Sequence, residues 1–213
     1  MNLPSWKELF TRAAIAAGIL AGPLGISANA AAAKAPDAVA VKLPSTMARG
    51  VAALSGRVYR LHMHELHTGE SIDLVYRVGG EYVPGAVAKL NYFLRDHRTN
   101  QVSHYDVREF DLLNSVMAKL GRPDGLIDVV CGFRSPWSNS YLRTRAAVTG
   151  VALHSQHMLA KAIDIRVPGV STSRLRDVAL SLHEGGVGYY PVSQFVHVDV
   201  GPVRRWTFAG AGD

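Results

Sequence analysis

The apolar periodicity of this chain switches between two and about 3.6 residues without settling into a regular strand–helix repeat, and that order restricts the fold more than any other feature. Arg57 to Leu66 sets Val58, Arg60, His62 and His64 against Tyr59, Leu61 and Met63, and Ile72 to Val78 alternates again after His67-Thr68-Gly69-Glu70, so a β-hairpin is expected. Pro84 to His97 carries Val87, Leu90, Phe93 and Leu94 at helical spacing, and Asp106 to Leu120 repeats the pattern with Phe110, Leu113, Val116, Met117 and Leu120. A strand over 126–132, a helix from Trp137 to Ala146, a short strand around Ala162 to Val167 and a helix from Ser171 or Thr172 to Ser181 follow. Val187 to Tyr190 and Phe195 to Val200 close the chain as strands. The expected class is α+β: a small antiparallel sheet flanked by helices.

Of the 213 residues, the first thirty read as a leader. Lys7 and Arg12 precede the apolar run AAIAAGILAGPLGI, and Ser27-Ala28-Asn29-Ala30 ends in a small-x-small cleavage pattern. The run is broken by Pro23 and is shorter than the roughly 20 residues of a membrane-spanning helix. A signal peptide over 1–30, a linker over 31–44 rich in Ala, Pro and Lys, and one catalytic domain over 45–213 are expected, with export to the periplasm and no stable membrane span after cleavage. Cleavage removes Lys7, Glu8 and Arg12 and takes the net charge from +6 to +5. That suits an anionic polymer, but no basic cluster interleaved with aromatics points to nucleic acid. Cys131, the only cysteine, excludes an internal disulfide; its apolar run LIDVVC places it in the core.

The chemistry concentrates in HSQHMLAKAID, residues 154–164, and FVHVD, residues 195–199. Hydrolytic zinc takes three protein ligands from His, Asp and Glu and keeps a fourth position for water. Strand alternation turns Asp164 away from Ile163 and Ile165, and His197 away from Val196 and Val198, so both could face one site with His157. Taken singly, each reads more readily as an ordinary loop or strand residue. His62, His64 and His67 have no carboxylate at fixed spacing beyond Glu65, which alternation turns to the opposite face, and they read as surface or turn residues.

The order of the blocks LHTGE (66–70), AKLNYFLRDHR (88–98), GFRS (132–135), SxHxxxxAxD (155–164), GGVGYYP (185–191) and FVHVDVG (195–201) closely resembles the murein endopeptidase K-like branch of the zinc D-Ala-D-Ala metallopeptidase group. The resemblance covers nearly all of the chain after the leader. It implies one zinc ion on His157, Asp164 and His197, an oxyanion-holding Arg134, and peptide stems of peptidoglycan as substrate.

Two departures stand out. Ala160 replaces a frequent glycine, and Gln194 occupies the position where relatives often carry a Glu, Asp or His as general base. An amide cannot take the proton of a zinc-bound water. Asp199 is the first alternative base, although it could equally fix the His197 tautomer, and His154 is the second. Ser155, Gln194 and Tyr189 are the candidate substrate contacts; Tyr190 and Trp206 either shape a groove or fill core. The implied activity is cross-link hydrolysis. A zinc D,D-carboxypeptidase releasing terminal D-Ala, and a peptidoglycan-binding protein of weak turnover, are the rivals.

Overall fold

The computed structural model describes residues 56–145 and 149–210. The expected signal peptide, linker and first residues of the expected domain lie outside the described residues.

In chain order the elements are β1 (Val58–Glu65), β2 (Ser71–Val78), β3 (Glu81–Tyr82), α1 (Pro84–Phe93), α2 (Arg108–Lys119), β4 (Leu126–Cys131), α3 (Pro136–Arg143), a 3-10 turn (Gln156–Leu159), β5 (Ala162–Arg166), α4 (Thr172–Leu180), β6 (Gly186–Tyr190), β7 (Phe195–Asp199) and β8 (Arg204–Thr207). They form an α+β fold around one eight-stranded sheet of order β3-β2-β1-β4-β5-β7-β6-β8. The sheet is larger than expected and mixed. Its centre, β4-β5-β7-β6, is antiparallel, whereas β1 pairs β4 and β6 pairs β8 in parallel. The first parallel pair exists because α1 and α2 carry the chain back before β4, the crossover that parallel neighbours require.

The helices form where local chemistry favours them. Pro84 opens α1 and needs no amide partner there. Ser135 and Ser171 cap α3 and α4, their hydroxyls accepting from Ser138 N and Arg174 N. In α2, Glu109 and Asp111 sit in the first turn and Lys119 in the last, as the helix dipole favours. Phe110, Leu113, Val116 and Met117 on α2 are buried together with Met63, Ile127, Ile163, Ile165, Val196 and Val198 of the sheet. Removing each such side chain from water is worth about 1.5–3 kcal/mol, which leaves the opposite face of the central strands for the polar residues.

A buried carboxylate ties this core to the loop that follows β4. Asp96 is 1% exposed; its Oδ2 accepts from Ser135 N at 2.8 Å and its Oδ1 from Arg98 N at 2.9 Å. Burial alone would raise its pKa, but the Ser135 and Ser138 hydroxyls and these two amides win and lower it to about 2. A pKa depressed on folding gives stability that is present above the unfolded value near 3.9 and lost as pH falls through about 2. Asp96→Asn is therefore expected to destabilise by about 1–2 kcal/mol at neutral pH. Urea melts of the two proteins should converge as the pH approaches 2.

Candidate metal centre

Cross-strand register assembles the site as one row. Cys131 opposes Asp164, Asp164 opposes His197, His197 opposes Gly188, and Gly188 opposes Trp206. Cys131 joins the row because a bulge between Val129 and Cys131 breaks the β4 alternation. It is buried, as the sequence suggests, but beside the polar row and not among the core side chains packed around Val129. Gly188 is required by the row itself: a Cβ there would meet the Trp206 ring at 2.5 Å. The indole lies over this glycine, with its centroid 5.0 Å from that of the His197 ring.

His157 reaches the row from the 3-10 turn, which Ser155 caps by accepting from His157 N at 3.3 Å. Ala160 ends the turn at φ 51°, the left-handed region where glycine is easiest. His157, Asp164 and His197 are 2%, 4% and 5% exposed. His157 Nε2 lies 3.0 Å from His197 Nδ1 and 3.2 Å from Asp164 Oδ1, and His197 Nδ1 lies 2.9 Å from the same oxygen.

The outer partners decide which atoms converge. His157 Nδ1 is 2.8 Å from the Gly132 carbonyl, which only accepts, so Nδ1 carries the proton and Nε2 keeps its lone pair. His197 Nε2 is 2.9 Å from Asp199 Oδ2, which fixes Nε2–H and leaves Nδ1 facing inward. Two imidazole lone pairs and a carboxylate oxygen thus meet at one point, a set that calls for a positive charge between them. Burial pushes His157 down and keeps it neutral. Burial would do the same to His197, but Asp164 and Asp199 overcome it and raise its pKa. Burial would raise Asp164, yet the two histidines hold it well below the usual carboxylate range.

Asp199 stands behind this point. It is fully buried; Oδ1 accepts from Gly186 N and Gly201 N, and Oδ2 from Arg204 Nη2 at 2.7 Å. Burial opposes its ionisation, but His197, the Gly201 amide and Arg204 lower its pKa to about 2. Both Asp199 oxygens are thus occupied, and Oδ2 faces His197 Nε2 at 2.9 Å. Arg204, which completes this clamp with the Gly186 amide of the GGVGYYP block, carries no signal in the sequence.

Arg134 follows the bulge and is 8% exposed. Its Nη2 lies 3.6 Å from Asp164 Oδ2 and 3.4 Å from Cys131 Sγ, and its Nη1 lies 3.4 Å from Asn139 Oδ1. Asn139 also donates to the Ala152 carbonyl and so links Arg134 to the loop before His157. Burial pushes the Cys131 thiol pKa up, so the sulfur stays protonated beside the guanidinium.

A cleft of about 410 Å³ opens on this centre, lined by Arg134, His154, Ser155, Tyr190 and Trp206 among others. His154 is exposed on its wall. Tyr189 and Gln194 are not brought to it. Alternation along β6 turns Tyr189 to the core side, where its ring lies under the Arg176 guanidinium at 4.5 Å, and presents Tyr190 to the cleft instead. Gln194 holds the left-handed position of the β6–β7 turn at φ 57°, its amide donating to the Pro191 carbonyl. Of the other histidines, His67 stacks on His97 at 4.0 Å beside Glu65. One ligand atom from each of Glu65, His67 and His97 lies within 4.8 Å of the others, and the His67 Nδ1 faces Glu65 Oε1 at 3.2 Å.

The family described as peptidoglycan L,D-endopeptidase MepK matches residues 53–206. The chain belongs to this family. Within the MepK family it is 42% identical over 146 residues to the peptidoglycan L,D-endopeptidase MepK of Escherichia coli K12, covering 68% of this chain and 79% of that protein. It is 38% identical over 164 residues to the probable peptidoglycan L,D-endopeptidase MepK of Haemophilus influenzae, covering 77% and 86%. No solved structure matches the chain.

Proposed function

We propose that the protein is a zinc-dependent murein endopeptidase that hydrolyses L,D peptide cross-links of peptidoglycan, with one ion held by His157 Nε2, Asp164 Oδ1 and His197 Nδ1. The observation that carries the reading is the convergence of these three atoms with both imidazole tautomers fixed from behind. The fit is close: ligand atoms 2.0–2.2 Å from a tetrahedral zinc are about 3.3–3.5 Å apart, against 2.9–3.2 Å here. The names of the relatives support the L,D bond, one joining the acyl group of an L centre to the amine of a D centre.

Zinc at this point would supply Lewis acidity, polarising a carbonyl and making water nucleophilic near neutral pH. The residues of the chain do the rest. Arg134 points a permanent charge into the cleft where the carbonyl oxygen gains charge. Asp199 locks the His197 tautomer. His154, exposed on the cleft wall, takes the proton of the attacking water and passes it to the leaving amine. Ser155 shapes the rim where the stem peptide enters. Asp199→Asn should weaken zinc affinity about 10–100-fold, because an amide can present its NH₂ to the ring and release the tautomer. Competition with a chromogenic chelator measures this.

Residues 1–30 act as a signal peptide and 31–44 as a linker in this reading, which places the domain from residue 45 in the periplasm with its polymer. Among the described residues no helix is long and apolar enough to cross a membrane. The test is digestion of two purified muropeptide dimers, one joined between two diaminopimelates and one between D-Ala and diaminopimelate. Zinc-dependent conversion of the first to monomers is expected. Release of free D-Ala from uncross-linked stems, with dimers untouched, would favour the carboxypeptidase.

A further inference from the structure

We propose that the Tyr190 hydroxyl donates a hydrogen bond to the scissile carbonyl oxygen as charge builds on it, in the same cleft as Arg134. The inference rests on the endopeptidase reading above and adds a group to it.

Tyr190 is on the site face of β6 and lines the same cleft as Arg134, His157 and Asp164. Its ring is held in place: Phe195 stacks on it at 4.3 Å and 16°, and Phe208 lies 5.9 Å away. The hydroxyl is held too. Trp206 Nε1 donates to its oxygen at 3.1 Å, and the indole is fixed in turn by lying over Gly188. With that lone pair occupied, the phenol is left to act as a donor. Among the described residues its proton reaches only the Gly150 carbonyl, at 3.5 Å, the outer limit of a hydrogen bond. A donor held from behind and poorly satisfied in front costs no reorganisation when negative charge appears before it. Burial raises the Tyr190 pKa, so the proton is retained at and above neutral pH.

The second donor also answers a shortage. The Arg134 terminal nitrogens already face Asn139, Cys131 and Asp164, so this guanidinium is partly committed to the protein. No bond of Tyr190 is made or broken in the step; its proton stays on the phenol throughout.

The experiment compares purified full-length protein with Tyr190→Phe and Trp206→Phe on the dimer joined between two diaminopimelates. Tyr190→Phe removes one oxygen and keeps the ring stack. Its kcat should fall about 100-fold, the loss typical of one oxyanion donor, with KM within about threefold because the contact strengthens only in the transition state. Zinc content, melting temperature and the affinity of the zinc-stripped protein for the dimer should match the parent. Trp206→Phe, which removes only the orienting donor, should lower kcat by about tenfold with KM again unmoved. A kcat within threefold of the parent, a rise in KM alone, or a loss accompanied by lost zinc or a lower melting temperature overturns the assignment. Parent protein that leaves the dimer intact overturns instead the endopeptidase reading, and this role with it.

Discussion

His157→Ala yields a folded chain that holds no zinc at stoichiometric levels and cleaves cross-linked dimers more than about a thousandfold more slowly than the parent. The expectation follows from how the ligand is built. His157 supplies one corner of a triangle whose other corners lie on β5 and β7, and its Nδ1–H bond to Gly132 is what aims Nε2 at them. Alanine removes the corner and leaves a two-ligand site. The backbone of the 3-10 turn survives, since Ser155 caps it through the His157 amide and not through the ring. Metal analysis by mass spectrometry and far-UV circular dichroism separate loss of the ion from loss of the fold.

Arg134→Met should have the next largest effect, and of a different kind. Arg134 lies outside the triangle, touching Asp164 through Oδ2 while the histidines use Oδ1, so zinc content stays near the parent's. On the proposed mechanism what disappears is the charge facing the developing oxyanion, with an expected fall in kcat of about 10²–10³. Arg134→Lys restores only part of it. A lysine is a point charge without the planar fork that reaches Asn139, Cys131 and Asp164 together. Initial rates and zinc stoichiometry measured on the same preparations check both statements.

What the sequence could reveal depended on whether a feature is local. The helices and most strands were legible because their periodicity lies within a dozen residues, as in Arg108–Lys119 with Phe110, Leu113, Val116 and Met117 on one face. The motif blocks named the family to which the chain belongs and pointed to His157, Asp164 and His197 as residues to watch. The two-residue β3 and four-residue β8 are too short to carry a pattern, and the parallel pairing of β1 with β4 depends on the whole crossover between them.

The finer roles depend on register and partners, which spacing does not encode. Asp199 is a candidate base in the sequence because it carries a carboxylate two residues from His197; Arg204 and the Gly186 amide, which also contact that carboxylate, come from β8 and β6 and are not signalled by spacing. Tyr189 and Tyr190 differ by one residue, and β6 alternation alone decides which of them meets the cleft. Cys131 was legible as buried, but only the bulge places it in the polar row.

The most direct test of the account is a crystal structure of the zinc-loaded protein with anomalous scattering recorded on both sides of the zinc edge. The account predicts one anomalous peak at about 2.0–2.2 Å from His157 Nε2, His197 Nδ1 and Asp164 Oδ1. A peak at other side chains, or none at this triangle in protein that still cleaves the dimer, would contradict it.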